Sequence, residues 1–346
     1  MKLGLVVNYS GRKLELPMDL ILEAERLGFD SCWTAEAYGS DAVTPAAWIL
    51  SKTTKIRVGT AIMQLPARAP TMAAMTAMSL DHLSGGRFII GLGPSGPQVV
   101  EGWYGASYEK PLTRQREYIE IMRMVFARKA PVEYSGVHYQ LPYRGPGSTG
   151  LGKPLKSILH CEHKIPIYTA SLQPKPVAMS AELCDGFFPA WMDPDRFDVF
   201  DESIAEGFAK AGGGKTLEHF DVAPIVVVVL GDDVDACRVP VKAMLALYVG
   251  GMGARDKNFY NEYVTKLGYG AEARTIQDLY LAGKKDEAGA AVPDKLVDEI
   301  ALVGPKDRIR DHAQRWIAAG KKRHVGSMLL GAMQPEALQV VAELML

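Results

Sequence analysis

Leu80-Asp-His-Leu-Ser-Gly-Gly-Arg-Phe-Ile-Ile-Gly-Leu-Gly93 is the most informative segment of the chain, because it carries a helix end, a stop signal and a buried strand in succession. Pro70 opens the helix that leads into it, and Gly85-Gly86 closes that helix. The apolar run Arg87–Gly91 is typical of a strand buried on both faces, as in parallel sheets. The segment therefore indicates an α/β fold.

The same alternation continues on both sides of this segment. Strands are predicted at residues 2–7, 31–35, 55–63, 87–91, 164–170, 186–191, 220–230 and 325–330. Helices are predicted at residues 17–27, 45–50, 70–84, 113–128, 176–183, 193–211 and 335–346. Eight strands separated by helices predict a (β/α)8 TIM barrel, with a doubly wound sheet plus a helical domain as the alternative.

Two connections are longer than a barrel requires. Residues 130–164 follow the fourth helix and contain a predicted hairpin at 133–141. Residues 231–324 follow the seventh strand and read as mostly helical over 233–320. We therefore expect one barrel domain, residues 1–346, with insertions at about 130–164 and 233–320; the second would overhang the C-terminal face, where barrels bind substrates.

Composition excludes several classes of protein. Lys+Arg 39 against Asp+Glu 40 leaves a net charge of −1, whereas nucleic-acid binding usually needs a basic surplus. The four cysteines form no CxxC pair, and the histidines and cysteines show no spacing typical of a metal site. The longest apolar run, residues 223–230, is too short to span a membrane. We expect a cytoplasmic protein with no metal, membrane or nucleic-acid partner.

Two glycine-rich motifs are weak indications of phosphate binding. Gly91–Gly96 matches GxGxxG but follows the fourth strand, and its prolines fit poorly with an immediate turn into a helix; a strand-end turn close to a ligand is the better interpretation. Gly147–Lys153 resembles a P-loop, but Pro154 stands where Ser or Thr is needed. The methionines at 72, 75 and 78 are interpreted as helix packing.

Polar residues follow several predicted strands. Glu36 ends the second strand, Thr60–Gln64 ends the third, and Thr169–Gln173 ends the fifth and precedes a helix. Barrels place their active groups at such carboxyl ends. The last of these sites could also bind an anion on backbone N–H groups.

Together these strand ends resemble the bacterial luciferase-like flavin family. The closer match is its coenzyme F420-dependent branch, the methylenetetrahydromethanopterin reductase-like oxidoreductases. The resemblance covers nearly the whole chain and rests on pieces that are individually weak. These are residues 24–31, 33–36, 58–62, 79–93, 184–187 and 303–305.

This resemblance implies a flavin-type ring lying across the C-terminal mouth of the barrel. Family members carry a non-proline cis peptide in the third strand, and the matching bond is Ala61–Ile62. The implied cofactor contacts are Thr60, Ala61, Ile62 and Met63; Gly91, Gly93, Pro94 and Ser95; Ala170, Ser171, Leu172 and Gln173; and Asp185, Gly186 and Phe187. The candidate cations for the anionic tail of F420 are Arg68, Arg144, Lys153 and Lys175.

The sequence departs from the family at two positions. Several F420-dependent sugar and alcohol dehydrogenases have a histidine and a glutamate, serving as base and acid, where this chain has Ala37 and Gly96. Alcohol oxidation is therefore disfavoured, and reduction of a C=C or C=N bond in a small organic substrate is expected. The candidate catalytic residues are Glu36 and Tyr38. The candidate proton sources are Tyr38, Glu101, Tyr104 and solvent.

Two other functions remain open on the sequence alone. One is an FMN-dependent monooxygenase of the same fold that uses O2. The other is a barrel that binds a flavin without catalysis. A homodimer is expected for the F420-dependent oxidoreductase.

Overall fold

The computed structural model describes residues 1–253 and 255–346. The strands among them are β1 (Lys2–Val7), β2 (Ser31–Thr34), β3 (Arg57–Thr60), β4 (Met63–Gln64), β5 (Phe88–Gly93), β6 (Tyr134–Ser135), β7 (Gln140–Leu141), β8 (Ile167–Ala170), β9 (Gly186–Phe188), β10 (Asp221–Val222), β11 (Ile225–Leu230), β12 (Leu302–Gly304) and β13 (Ser327–Gly331).

The helices surround the main sheet and fill the long connection after β11. They are α1 (Met18–Leu27), α2 (Val43–Lys52), α3 (Pro70–Ser84), α4 (Pro97–Gly102), α5 (Pro111–Ala127), α6 (Pro174–Leu183), α7 (Asp198–Ala211), α8 (Val234–Ala246), α9 (Phe259–Val264), α10 (Gly270–Leu281), α11 (Lys285–Ala290), α12 (Asp294–Ile300), α13 (Lys306–Lys321) and α14 (Pro335–Met345). Two π-helical turns, Leu247–Gly251 and Thr265–Tyr269, flank α9.

The main sheet is parallel and curls back on itself. Its strands lie in the order β10-β9-β8-β5-β3-β2-β1-β13-β11-β12. Strands β10 and β11 are successive parts of one chain segment, and Asp221 pairs with Gly186 while Ile225 pairs with Leu329. The α/β class predicted from the sequence is confirmed, and the parallel sheet curls so that the carboxyl ends of its strands meet at one mouth.

The two faces of the sheet bury different side chains. The outer face packs against the helices and forms the larger apolar core. The inner face is filled by Trp33, Tyr168 and Phe188, whose ring centroids lie 5.1 to 5.4 Å apart. Because aromatic rings at such distances pack closely, the interior of the curled sheet is a filled core, and only its mouth can hold a ligand.

Several element boundaries differ from the sequence predictions. The predicted third strand is divided at Ala61-Ile62 into β3 and β4, and the predicted sixth strand ends early, at Phe188. The helix expected from residue 193 begins at Asp198. A short helix, α4, and a short strand, β12, were missed; β12 pairs with β11, so the segment after β11 is not purely helical.

The methionine stripe on α3 is also only partly buried. Met78 is in the core, but Met72 and Met75 are 52% and 53% exposed. The prediction of internal packing holds for Met78 alone. In the described parts of the chain, no helix combines the length and apolar character needed to cross a membrane.

Candidate active site at the carboxyl ends of the strands

The register of the parallel strands places several predicted site residues side by side at the carboxyl ends of neighbouring strands. Gln64 pairs with Gly93, and the next pairings along the sheet join Leu92 to Thr169 and Ala170 to Phe188. The ends of β4, β5, β8 and β9 therefore lie side by side at the mouth.

The bulge between β3 and β4 forms part of the floor of this mouth. The Ala61–Ile62 peptide is cis, as the resemblance implied. The Ala61 N–H donates to the carbonyl oxygen of Thr34 at 2.7 Å, which fixes the bulge to β2. Ala61, Ile62 and Ala170 are half-buried and pack on the aromatic interior, so their outer surfaces make an apolar floor.

Gly91 and Gly93 are required by this bulge. A Cβ atom on Gly91 would lie 1.9 Å from the carbonyl oxygen of Thr60, and one on Gly93 would lie 2.8 Å from Ile62 Cδ1. The Thr60 hydroxyl also donates to the Gly91 carbonyl at 2.7 Å and accepts from its N–H at 3.0 Å. The GxGxxG pattern thus reflects close approach of two strands, rather than the approach of a ligand that the sequence suggested at Gly91.

Glu36 is tied into a hydrogen-bond network beside the bulge. Its carboxylate accepts from the Gln64 N–H at 2.9 Å and from Arg68 Nη1 at 3.1 and 3.3 Å. Only 4% of its side chain is exposed. Arg68 also bonds Asp41, so it is unavailable to an anionic ligand tail. The carboxylate predicted to be catalytic holds the segment that follows the bulge.

The candidate proton donors lie in different surroundings. Tyr38 is 71% exposed, and Glu101 is also exposed. Tyr104 is half-buried, and burial raises the pKa of its hydroxyl, with the Glu36 carboxylate adding to the rise. Tyr104 is therefore a protonated phenol close to the Glu36 network, whereas Tyr38 faces solvent.

The turn after β5 adopts a conformation unusual for its residues. Pro94 is half-buried, and Ser95 has a left-handed φ of 61°. The Ser95 carbonyl accepts a hydrogen bond from the Tyr108 hydroxyl at 3.2 Å. Pro97 then opens α4, so the two prolines do not prevent a helix from following this turn.

The segment after β8 offers fewer anion contacts than the sequence suggested. The Ser171 hydroxyl lies 2.8 Å from that of Ser180 and is directed towards α6, away from the mouth. Pro174 and Pro176 have no N–H, so the first turn of α6 lacks two of its donors. Gln173 is held by Lys266, whose Nζ donates to its side-chain oxygen at 2.8 Å. Lys266 is a cation at this site that sequence reasoning missed.

Other predicted cofactor contacts face the outer core or lie at the opposite end of the sheet. Met63 is fully buried in the outer core, and Leu172 packs against it. Asp185 lies at the start of β9, paired with Arg123 and Lys164 at 2.6 and 2.7 Å. The sequence reasoning placed the next two residues at the mouth as well, and the structure does not. These are Gly186, which packs on Tyr168, and Phe187, which stacks on Phe220.

An aromatic cluster beyond the carboxyl end of β9 was also missed. Trp191 follows β9, and its ring centroid lies 5.7 Å from that of Tyr248 and 5.3 Å from that of Tyr260. The rings of Tyr248 and Tyr260 are 4.9 Å apart. Trp191 has a φ of 42°, a strained value for a non-glycine residue. The three residues are separated by many positions, so no sequence motif connects them.

A separate polar cleft of about 380 Å³ lies between the loop after β9 and α12. Asp193, Arg196, Tyr269 and Glu299 contribute to its lining. Its acidic groups are already engaged: Asp193 pairs with Arg315, and the Tyr269 hydroxyl donates to Glu299 at 2.7 Å. Across the described residues, no cluster of three or more His, Cys, Asp or Glu side chains could hold a metal ion.

Comparisons with known proteins agree with this geometry. The sequence profile of the family described as luciferase-like monooxygenase matches residues 7–323. A Mycobacterium tuberculosis protein provisionally named coenzyme F420-dependent oxidoreductase Rv3520c is 46% identical over 99% of each chain. The 5,10-methylenetetrahydromethanopterin reductase of Archaeoglobus fulgidus is 27% identical over 92% of this chain and 91% of its own.

A solved structure shares the fold. The F420-dependent tetrahydromethanopterin reductase from Methanopyrus kandleri superposes with a TM-score of 0.76, at 22% identity over 99% of this chain and 97% of that one. The resemblance drawn from the strand ends is thereby confirmed, and the chain belongs to the luciferase-like monooxygenase family.

Proposed function

We propose that this chain is an F420-dependent oxidoreductase, a single luciferase-like barrel domain that binds the deazaflavin at the mouth of its curled sheet. The observation that carries the proposal is the half-buried apolar floor made by Ala61, Ile62 and Ala170. The name of the relative at 46% identity supports F420 as the cofactor. F420 supplies or accepts a hydride when bound, while the protein orients it and excludes water.

The residues around the floor fit a deazaflavin. Gln64 is 3% exposed, and its side-chain oxygen has no hydrogen-bond partner among the described residues. A ring N–H of the bound cofactor would satisfy this acceptor, whose burial without a partner is otherwise unfavourable. Towards the phosphate and glutamyl tail, backbone groups of Gly93–Ser95 and Ala170–Gln173 and the exposed side chains of Lys175 and Lys266 are the available contacts.

Glu36 acts as a positioning residue in this proposal. Its carboxylate holds the Gln64 N–H and Arg68, so it fixes the segment on which the floor depends. Tyr104 is the proton donor in this proposal, because its half-buried hydroxyl lies near the Glu36 network, whereas Tyr38 and Glu101 are exposed to solvent. Ala37 and Gly96 stand where several F420-dependent dehydrogenases have the base and the acid for alcohol oxidation. Their presence here supports reduction of a C=C or C=N bond in a small organic substrate instead.

A homodimer through α2 and α3 is part of the proposal. Trp48 on α2 is 55% exposed, and Met72, Met75 and Leu83 on α3 are between 52% and 85% exposed. Large apolar side chains grouped on adjoining helices are typical of an interaction surface. Contact with the same surface of a second copy of the chain would remove these apolar side chains from water.

The cofactor assignment is tested by titrating the purified protein with F420 and, separately, with FMN, following cofactor fluorescence. We expect micromolar F420 binding and no FMN binding. Tight FMN binding together with oxygen consumption in the presence of reduced flavin would instead establish a monooxygenase. If F420 binds but none of a panel of unsaturated acceptors is reduced, the function is cofactor binding without catalysis.

A further inference from the structure

Large apolar side chains stand exposed on the loops that surround the mouth. Tyr9 follows β1, Tyr38 follows β2, Trp103 follows α4 in the connection after β5, and Met333 follows β13. Each of them is between 47% and 71% exposed. We call these four residues the apolar rim. Single exposed apolar side chains are normal on any protein, but several grouped at one end of a fold are typical of a binding surface.

Neighbouring strands and hydrogen bonds hold the loops of the rim together. Strands β13, β1 and β2 are adjacent in the sheet. Since neighbouring strands lie about 4.8 Å apart, Met333, Tyr9 and Tyr38 follow strands that together span about 10 Å. The loops after β1 and β2 are joined by two hydrogen bonds between Ser10 and Ser40, at 2.9 and 3.3 Å. A ligand that covers this part of the rim is therefore elongated.

The turn that carries Met333 and the loop that carries Trp103 are fixed beside the same strands. The Gln334 side chain exchanges two hydrogen bonds of 2.8 Å with the backbone at the end of β11. Tyr104 follows Trp103; burial raises the pKa of its hydroxyl, and the nearby Glu36 carboxylate at the end of β2 adds to the rise. The rim thus follows the mouth from β13 through β1 and β2 to the connection after β5.

The place of the rim decides between its possible occupants. It borders the apolar floor on which the deazaflavin is proposed to bind, so a small molecule on the rim also reaches the cofactor. A second copy of the chain on the rim would instead close the mouth to substrate. An anionic membrane would need a basic surplus, but the loops of the rim carry Glu15, Asp41 and Glu101 beside Arg12 and Lys13.

We propose that the apolar rim is the substrate subsite and that it binds the apolar chain of an elongated substrate, whose reducible bond lies over the deazaflavin on the floor. This inference rests on the proposed function, because it names the substrate class for the same mouth. The rim selects its ligand through the apolar area that it removes from water. It makes no demand on the charge of the reactive end of the substrate.

The test measures the binding of pentan-2-one and nonan-2-one to the full chain, with and without saturating oxidised F420, by ligand-observed NMR. The two ketones differ only by four methylene groups. With about half of the area of each methylene covered on an open rim, nonan-2-one should bind about tenfold more tightly.

The double variant Trp103→Ser/Met333→Ser should lower this ratio to about threefold or less, because it removes half of the rim. Leu346→Ser is the matched control. Leu346 is 61% exposed and lies beside Gly28, at the opposite end of the sheet, so its replacement should leave the tenfold ratio unchanged. Both variants should bind F420 as the parent does, which shows that they are folded.

Four results would overturn the proposal. The first is equal affinity of the parent for the two ketones, and the second is an unchanged tenfold ratio in the double variant. The third is a shift of the double variant towards monomer in sedimentation equilibrium, which would assign the rim to contact with a second copy. The fourth is sedimentation of the parent, but not of the double variant, with vesicles of phosphatidylglycerol and phosphatidylcholine, which would assign the rim to a membrane surface.

Failure of the proposed function gives a different result. If F420 does not bind while the ratio of the ketone affinities still depends on Trp103 and Met333, the cofactor assignment is wrong and the ligand class of the rim stands. The two failures are therefore distinguishable.

Discussion

Replacing Glu36 by Gln tests whether this carboxylate anchors the segment after the bulge. The side chains of Glu36 and Arg68 are 4% and 19% exposed, so the pair is nearly buried. Removing one partner of a buried pair costs about 3–5 kcal/mol. Part of that cost is avoided here because Asp41 still bonds Arg68 at 3.3 Å. The amide that replaces the carboxylate would also turn its NH2 group towards either Arg68 or the Gln64 N–H, and two donors cannot form a hydrogen bond with each other. We therefore expect a loss of about 2–4 kcal/mol in the free energy of unfolding.

Urea unfolding followed by circular dichroism measures this loss. With a slope of about 3 kcal/mol per molar urea, the midpoint should fall by about 1 M. Asp41→Asn is the control. The Asp41 side chain is 35% exposed, and asparagine can still accept from the N–H groups of Val43 and Thr44, so at most about 1 kcal/mol should be lost.

Cofactor binding separates a positioning role from a purely structural one. Folded Glu36→Gln, held well below its unfolding transition, should bind F420 about tenfold more weakly, equivalent to about 1.4 kcal/mol. Folded Asp41→Asn should bind within about twofold of the parent. If Glu36→Gln shifts the urea midpoint no more than Asp41→Asn does and binds F420 normally, the carboxylate does not anchor the bulge, and the reasoning is refuted.

Three further changes test other parts of the account. Gly91→Ala should destabilise the fold by about 3 kcal/mol or more, since its Cβ would lie 1.9 Å from a carbonyl oxygen, whereas Gly102→Ala, with nothing within 4 Å of the new atom, should be neutral or stabilising in thermal unfolding. Glu182→Gln should lose about 1 kcal/mol at pH 7. Arg116 holds the pKa of Glu182 below its usual 4.5, so this loss should be complete above pH 4.5 and vanish as pH falls through the lowered pKa, as urea titrations at several pH values would show. Met75→Glu should shift the sedimentation equilibrium towards monomer; an unchanged mass would remove α3 from the dimer surface.

The order of strands and helices was predictable because it depends on local signals. Runs such as Lys2–Val7 and the Gly85-Gly86 stop carry their structural preference within a few residues. Boundaries were less predictable where long-range pairing decides them. Strand β9 ends at Phe188, where its pairing with β8 ends and where Pro189, which has no N–H to donate to the ladder, follows; the prediction to residue 191 passed over this proline.

The candidate site was predictable only in part, since its contacts join distant residues. Glu36 was identified at a strand end. Its partner Arg68 lies 32 positions away, so the sequence did not show that an ion pair holds the Glu36 carboxylate in place. Asp185 was assigned to the mouth by the family resemblance alone, although it precedes the predicted strand 186–191 and therefore stands at the amino end of that strand. The aromatic cluster of Trp191, Tyr248 and Tyr260 escaped notice because Trp191 and Tyr248 meet only after the chain has folded.

A crystal structure of the protein with F420 would test the central claim most directly. We predict the deazaflavin ring on Ala61 and Ile62 at the mouth, with a ring N–H donating to the side-chain oxygen of Gln64. A ring bound in the polar cleft between Asp193 and Tyr269, with the apolar floor left uncovered, would contradict it.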